Sequence, residues 1–260
     1  MGETVRTERR GPVLEIVLSR PDKRNAIDGE MAAELFEAWA RLGDDDVRAG
    51  VLAADGPAFC AGADLEALET LGPGDGFQLG DPEREAFVSG EEGYLGPTRQ
   101  PFPPVPVIAA VQGPALAGGL ELTCLCDLRV AGEEATFGAT NREWGVPLVD
   151  GGSQRLPRIV GLGRALELVL TGRVLRAEHA AQIGLVNDLV PEGGERTRAG
   201  KIADRITQLP QDALRADRRS VYEGMDRPMA DGLEIEARNG QEVVEAEGFE
   251  AGPRRFALDE

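Results

Sequence analysis

Alternation of apolar and polar residues in the first half of the chain predicts short strands separated by turns. The string VLEIVL predicts a strand over Val13–Leu18, which Arg20-Pro21 ends because proline cannot donate a hydrogen bond to a β ladder. Asp28 is a candidate cap for a helix over about Gly29–Leu42, whose apolar residues recur on one face. Further apolar runs predict strands at Val47–Ala54, Val105–Val111 and Leu128–Ala131, and a helix that opens at Ala117-Gly118-Gly119.

After Leu156 the spacing of apolar residues is helical. The repeated order of strand, turn and helix before that point predicts an α/β fold, with a core over 1–195 and a helical region over 196–260. The predicted helices cover Arg164–Leu170, Ala177–Ile183, Arg198–Gln208, Gln211–Glu223 and Met229–Glu247.

The segment Thr70–Pro104 is rich in glycine, proline and acidic residues and shows neither helical nor strand periodicity. These features predict a long mobile loop. A loop of this length in a compact domain is usually a lid or a binding loop, although a solvated insertion without a role is nearly as common.

The net charge of −18 changes the set of partners that the chain is expected to bind. It repels nucleic acid, and any polyanionic ligand would need local cations, for which Arg20, Lys23 and Arg24 are candidates. Three cysteines without a C-x-x-C pair and a single histidine give no metal-binding pattern. The absence of a long apolar run argues against secretion and against membrane insertion, and a cytoplasmic location is expected.

Two glycine-bearing segments follow predicted strands, and each offers free backbone N–H groups. The first is Phe59-Cys-Ala-Gly-Ala-Asp-Leu65, and the second is Gly113-Pro-Ala-Leu-Ala-Gly-Gly-Leu-Glu121, at a helix N-terminus that favours negative charge. Together they could form an oxyanion hole. Taken singly, small residues at a turn usually serve steric needs, and neither segment has a nucleotide-binding pattern.

Four strings in Val13–Val190 resemble the crotonase (enoyl-CoA hydratase/isomerase) superfamily: RPDKRNAI, FCAGADL, GPALAGGLELTCLCDLRVA and WGVPLVDGGSQRLPRIVG. The resemblance implies a spiral of ββα units and a C-terminal helical region that drives assembly into homotrimers, often hexamers. It also implies an acyl-CoA thioester as substrate, with coenzyme A part of the substrate and no separate cofactor or metal.

The resemblance assigns the oxyanion hole to the N–H groups of Ala63 and Gly118, and proton transfer to Glu121. Glu121 lies three residues after Gly118, so the two share one helix face. At a helix N-terminus the dipole is expected to lower the pKa of Glu121 and favour a role as base, unless burial raises it again. A glutamate that only complements the dipole is the alternative.

The chain departs from the hydratase pattern at Asn141, where a hydratase of this family carries its second catalytic glutamate. An amide can orient water but cannot transfer its proton. Asp150 is therefore the candidate second carboxylate, although an aspartate in an Asp-Gly-Gly turn is more often a turn former. The resemblance places substrate contacts at Arg24, Ala26, Ala61, Asp64, Leu65, Asn141 and Trp144.

Three functions remain open at the level of sequence. Hydration of a 2-enoyl-CoA is the default activity of the family. Double-bond isomerisation needs only one shuttling base, Glu121. Binding of acyl-CoA without turnover, as an assembly subunit, is consistent with the missing second glutamate at position 141.

Overall fold

The computed structural model describes residues 4–72, 90 and 92–246. The chain divides into two compact units, Met1–Asp204 and Arg205–Glu260. The division falls within a helix, α6 (Glu195–Thr207). The predicted boundary between an acyl-CoA core and a helical region, at 195/196, stays a prediction.

The first unit is built on a six-stranded sheet with the order β1-β2-β3-β4-β6-β9. The edge pair β1 and β2 is antiparallel, with Val5 opposite Leu18, and the remaining pairs are parallel. The central strands are buried, because apolar residues line both of their faces. These strands are β1 (Val5–Arg10), β2 (Val13–Leu18), β3 (Ala49–Ala54), β4 (Val107–Val111), β6 (Leu128–Gly132) and β9 (Asp188–Val190).

A second, three-stranded sheet has the order β5-β7-β8, formed by Pro114–Leu116, Thr136–Gly138 and Val174–Arg176. Isolated parallel bridges join Cys60 to Ala115 and Ile27 to Ala63. These bridges tie the segment after β3 to β5 on one side and to the segment before α1 on the other. Three stretches that are distant in sequence therefore meet along residues 60–64.

The helices begin where the sequence supplies a cap or a turn. Asp28 accepts a hydrogen bond from the Met31 N–H (3.0 Å) and starts α1, whose apolar face is buried. Helix α2 is buried along its whole length, which is unusual for a short helix and places it in the core. The helices are α1 (Gly29–Ala40), α2 (Gly118–Leu125), α3 (Gly152–Val160), α4 (Leu162–Thr171), α5 (Ala177–Gln182), α6 (Glu195–Thr207), α7 (Gln211–Gly224) and α8 (Met229–Glu245).

The second unit contains α7 and α8, which pack against each other. The side-chain amide of Asn239 donates to the Ser220 hydroxyl (3.0 Å) between them. In the described ranges, none of the helices has the length and apolar character needed to cross a membrane. The α/β fold class and the C-terminal helical region are confirmed.

Some elements of the described structure were not predicted. Strand β1 and helix α3 were not predicted: β1 is rich in exposed charge, and α3 starts at a glycine pair and contains Pro157. Within the predicted mobile loop Thr70–Pro104, the described stretch 92–104 includes a 3₁₀ helix at Pro97–Arg99 and buried Leu95, and the mobility of the loop stays a prediction. Residues 73–89 and 91 lie outside the described chain.

Candidate active site

One cavity of about 700 Å³ lies in the first unit. It is lined by the predicted catalytic and oxyanion residues Ala63, Gly118, Glu121 and Asp150. The predicted substrate-binding residues also line it: Arg24, Ala26, Ala61, Asp64, Leu65, Asn141 and Trp144. The fold thus brings all the predicted site residues to one cavity, and the role of each stays a prediction.

The backbones of the two glycine-bearing segments touch at Gly62 and Gly118. A Cβ on Gly62 would lie 2.9 Å from the Gly118 nitrogen, and a Cβ on Gly118 would lie 3.3 Å from the Gly62 Cα. Gly62 also has a φ of +96°, which a side chain would strain. Close approach of these two turns therefore requires glycine, and it brings the Gly118 nitrogen against Gly62, the residue before Ala63.

The backbone hydrogen bonds around the two turns leave these amides available. The Ile27 N–H donates to the Gly62 carbonyl and the Asp64 N–H donates to the Ile27 carbonyl, both at 2.8 Å. The Ala63 N–H, which lies between these two groups along the chain, takes no part in this bridge. Gly118 is the first residue of α2, where an N–H has no intrahelical acceptor. Among the described residues, neither amide donates to a protein acceptor.

The turn into α2 is strained at Ala117, which has a φ of 50° and a ψ of −117°. Such conformations cost a non-glycine residue about 1–3 kcal/mol and tend to occur at functional sites. The Ala117 N–H donates to the Gly138 carbonyl (2.8 Å), and this bond helps hold the turn. A Cβ on Gly119 would lie 2.1 Å from the Cys60 carbonyl oxygen, so α2 also packs directly on the first segment.

Glu121 is only 3% exposed, and its carboxylate is held by the start of α3. Its Oε1 accepts hydrogen bonds from the N–H groups of Asp150 (3.0 Å) and Gly152 (2.8 Å). A Cβ at position 152 would lie 2.7 Å from the Glu121 Cγ, so only glycine fits there. Both bonds fall on Oε1, and hydrogen bonds among the described residues leave Oε2 without a partner.

Burial raises the pKa of Glu121 to about 8, with a further contribution from the charge of Asp150. The two backbone hydrogen bonds and Arg155 oppose this shift. The exception that the sequence left open therefore applies: burial raises the pKa of Glu121 again, because loss of hydration outweighs the helix dipole. Glu121 titrates close to neutral pH, where a carboxyl group can both take and give a proton.

Asp150 is 2% exposed and is not a solvated turn former. Its Oδ1 accepts hydrogen bonds from the Leu95 N–H (3.1 Å) and from the Thr98 hydroxyl. Burial raises the pKa of Asp150. The Arg155 guanidinium donates to the Asp150 carbonyl (3.0 Å) from behind. Thr98 and Leu95 were not predicted as site residues, because they lie in a segment without periodicity.

Asn141 lies in a 3₁₀ helix, Thr140–Trp144, which forms one wall of the cavity. Its side-chain Nδ2 donates to the Val146 carbonyl (2.7 Å), and its Oδ1 is buried without a partner in the described part of the chain. The amide is thus fixed to its own turn. Trp144, which ends this helix, is 68% exposed and also lines the cavity.

The predicted cations differ in their availability. Arg20 is not a lining residue: it pairs with Asp28 (3.1 Å) and Asp64 (2.8 Å), which gives it a structural role. Arg24 has a left-handed backbone (φ 55°) and an exposed side chain, with no ion pair among the described residues. Its carbonyl accepts the Ala61 N–H (3.1 Å), so both walls of the cavity are linked beside it.

A comparison with known protein families identifies the family of this chain. The model of the family described as enoyl-CoA hydratase/isomerase matches residues 8–258. The chain belongs to the enoyl-CoA hydratase/isomerase family.

In the described part of the chain, no group of three or more His, Cys, Asp or Glu side chains could hold a metal ion.

Relatives in this family cover nearly the whole chain. Enoyl-CoA hydratase EchA19 of Mycobacterium tuberculosis is 36% identical over 98% of this chain and 94% of its own. The mitochondrial enoyl-CoA hydratase domain-containing protein 2 of Mus musculus is 39% identical over 86% of this chain and 74% of its own. A crystal structure of enoyl-CoA hydratase from Mycobacterium tuberculosis H37Rv has a TM-score of 0.88 and 32% identity, covering 99% of this chain and 97% of that one.

Proposed function

We propose that the protein adds water to the double bond of a 2-enoyl-CoA thioester. The observation that carries this proposal is a pair of buried carboxyl groups, Glu121 and Asp150, in the same cavity as the amides of Ala63 and Gly118. The family's activity on acyl-CoA thioesters supports the choice of substrate.

The amides supply the electrostatic part of the mechanism. As water attacks the β-carbon, negative charge moves onto the thioester oxygen, and the N–H groups of Ala63 and Gly118 donate to that oxygen. Loss of one such donor typically costs about 3 kcal/mol of transition-state stabilisation. Both donors belong to rigid backbone, so little reorganisation is needed during the reaction.

The carboxyl pair supplies the proton transfers. The water oxygen bonds to the β-carbon while its proton passes to an ionised carboxylate, and the α-carbon receives a proton from the protonated partner. Two carboxyl groups that share a low-dielectric cavity resist double ionisation, so ionisation of one favours the protonated form of the other. Asp150 thus takes the part that Asn141 cannot perform.

Isomerisation of the double bond is the second candidate. Asn141 favours it, because the position of a second glutamate holds an amide whose Nδ2 is bound to Val146. Glu121 alone would remove a proton from one carbon and return it to another, with the same amides holding the enolate. Binding without turnover, as an assembly subunit, is the third possibility.

A panel of acyl-CoA esters distinguishes these functions. The proposal expects loss of enoyl-thioester absorbance with wild-type protein, and a decrease of at least about 100-fold in both Glu121→Gln and Asp150→Asn. Retention of isomerase turnover in Asp150→Asn, with no hydration by the wild type, would establish isomerisation instead. Tight binding of esters that mass spectrometry finds unchanged would contradict both.

We also propose that the protein needs no cofactor besides the coenzyme A of its substrate, binds no nucleic acid, and acts as a homotrimer or hexamer in the cytoplasm. The chemistry of two amides and two carboxyl groups supports the first point, and the net charge of −18 supports the second. The resemblance of the sequence to its family supports the assembly. The three cysteines are free, buried thiols, and this supports a reducing compartment.

A further inference from the structure

The exposed side of the cavity carries few positive charges. Among its lining residues in the described chain, Lys23 and Arg24 are the only cations, whereas Asp22 and Glu66 are exposed carboxylates on the same side. We call these four residues the mouth. A coenzyme A ester carries several negative charges on its phosphates, so its binding here depends strongly on how free each cation is.

Lys23 is not free in this structure. Its Nζ lies 2.7 Å from Oε2 of Glu66, and this ion pair joins the 3₁₀ helix Pro21–Lys23 to the segment after Asp64. The side chains of the two residues are 45% and 80% exposed, so the pair lies in water and is weak. A phosphate group can therefore displace Glu66 from Lys23.

Glu66 is nevertheless held opposite Lys23 by its backbone. The Glu66 N–H donates to the Asp64 side chain (3.1 Å), and the same carboxylate pairs with the partly buried Arg20. When a phosphate takes Lys23, the Glu66 carboxylate remains nearby and repels it. The Glu66 carboxylate therefore weakens phosphate binding in two ways: it competes with the phosphate for Lys23, and it repels the phosphate that is bound there.

We propose that Glu66 is a specificity-determining residue that weakens binding of the phosphorylated part of coenzyme A by occupying Lys23. The inference rests on the proposed function only in taking a coenzyme A ester as the ligand. In this proposal the cavity walls bind the unphosphorylated pantetheine arm. Arg24 binds the phosphates together with Lys23, for which Glu66 competes.

Calorimetry with free coenzyme A and with pantetheine, at low ionic strength, tests this proposal without requiring turnover. Glu66→Gln is expected to tighten coenzyme A binding about three- to tenfold and to leave pantetheine binding unchanged, because pantetheine lacks phosphates. Added salt should reduce the gain. Asp22→Asn is the matched control, since it removes a charge from the mouth that forms no ion pair among the described residues.

A double substitution separates the ion pair from a general effect of charge. In a Lys23→Gln background, Glu66→Gln should increase the affinity for coenzyme A by a smaller factor, because there is no Lys23 cation to release from its ion pair. An equal gain in that background, an equal gain from Asp22→Asn, or coenzyme A binding that Glu66→Gln does not alter would overturn the inference alone. Absence of coenzyme A binding in every variant and in the wild type would contradict the proposed function itself.

Discussion

The carboxyl group of Glu121 lies in the first turn of α2, where the helix dipole favours its ionised form. It is also shielded from water and lies near the carboxyl group of Asp150, and these effects raise its pKa to about 8. Because desolvation is the largest cause of the shift and outweighs the effect of the helix dipole, burial decides the direction of the pKa shift. The residue is thus a carboxylic acid that changes its charge near physiological pH.

This proton state makes a prediction about stability. An acid whose pKa is raised in the folded protein destabilises the fold as it ionises, so the free energy of unfolding should fall as pH rises from about 4.5 to about 8. Glu121→Gln keeps the hydrogen-bond acceptor but does not titrate. The variant should therefore gain stability over the wild type across this window, by a few kcal/mol at pH 9, as measured by denaturant unfolding.

Glu143→Gln provides the control for that measurement, since Glu143 is exposed. The difference in the free energy of unfolding between Glu143→Gln and the wild type should not change across the same pH range. A stability difference for Glu121→Gln that is equal at pH 5 and pH 9 would mean that Glu121 does not titrate as a buried acid.

At the scale of elements, the turn at residues 93–98 holds one of the two carboxyl groups. The Thr98 hydroxyl donates to Asp150, and a Cβ on Gly93 would lie 2.6 Å from the Asp150 Oδ1. Leu95 also packs on Gly118, where a Cβ would lie 2.1 Å from its Cδ1. The segment therefore touches both the carboxylate and the turn that bears Gly118, a proposed oxyanion donor.

Removal of the Thr98 hydroxyl should shift the pH dependence of the reaction. A hydroxyl that donates to Asp150 favours its ionised form, so Thr98→Val should raise the pKa of Asp150 and move the acidic limb of the kcat profile to higher pH. Thr98→Ser keeps the donor and should restore the wild-type profile. Identical profiles for the two variants would show that Thr98 only fills space.

Elements with strong local signals were predictable from sequence, and those stabilised by long-range contacts were not. Strand β2 and helix α1 agree with their predictions because their apolar spacing and the Asp28 cap are local. Helix α3 was not predicted because glycine and proline disfavour helices, yet its glycine at position 152 is needed to accommodate Glu121. Thr98 carries no sequence signal, because its role depends on a contact with a residue far along the chain.

At the scale of the whole molecule, the candidate site is a meeting point of distant segments. Residues 24–27, 60–64, 93–98, 117–121 and 141–152 all contribute to it, and backbone hydrogen bonds link several of them. The two glycine-bearing strings both contribute to this cavity, so the sequence alone predicted where part of the site lies. Their convergence depends on the complete first unit, in which parallel strands place these turns side by side.

The net charge of −18 acts over the same scale. It opposes the approach of a coenzyme A ester, so local cations and the enclosed walls of the cavity must provide the affinity. Binding energy from the pantetheine arm would then position the thioester against the amides of Ala63 and Gly118.

A crystal structure with a bound acyl-CoA tests this account most directly. The thioester oxygen should lie within about 3 Å of the backbone nitrogens of both Ala63 and Gly118, with a Glu121 oxygen beside the α-carbon. A thioester oxygen that contacts neither amide, or an acyl group bound outside this cavity, would contradict the account.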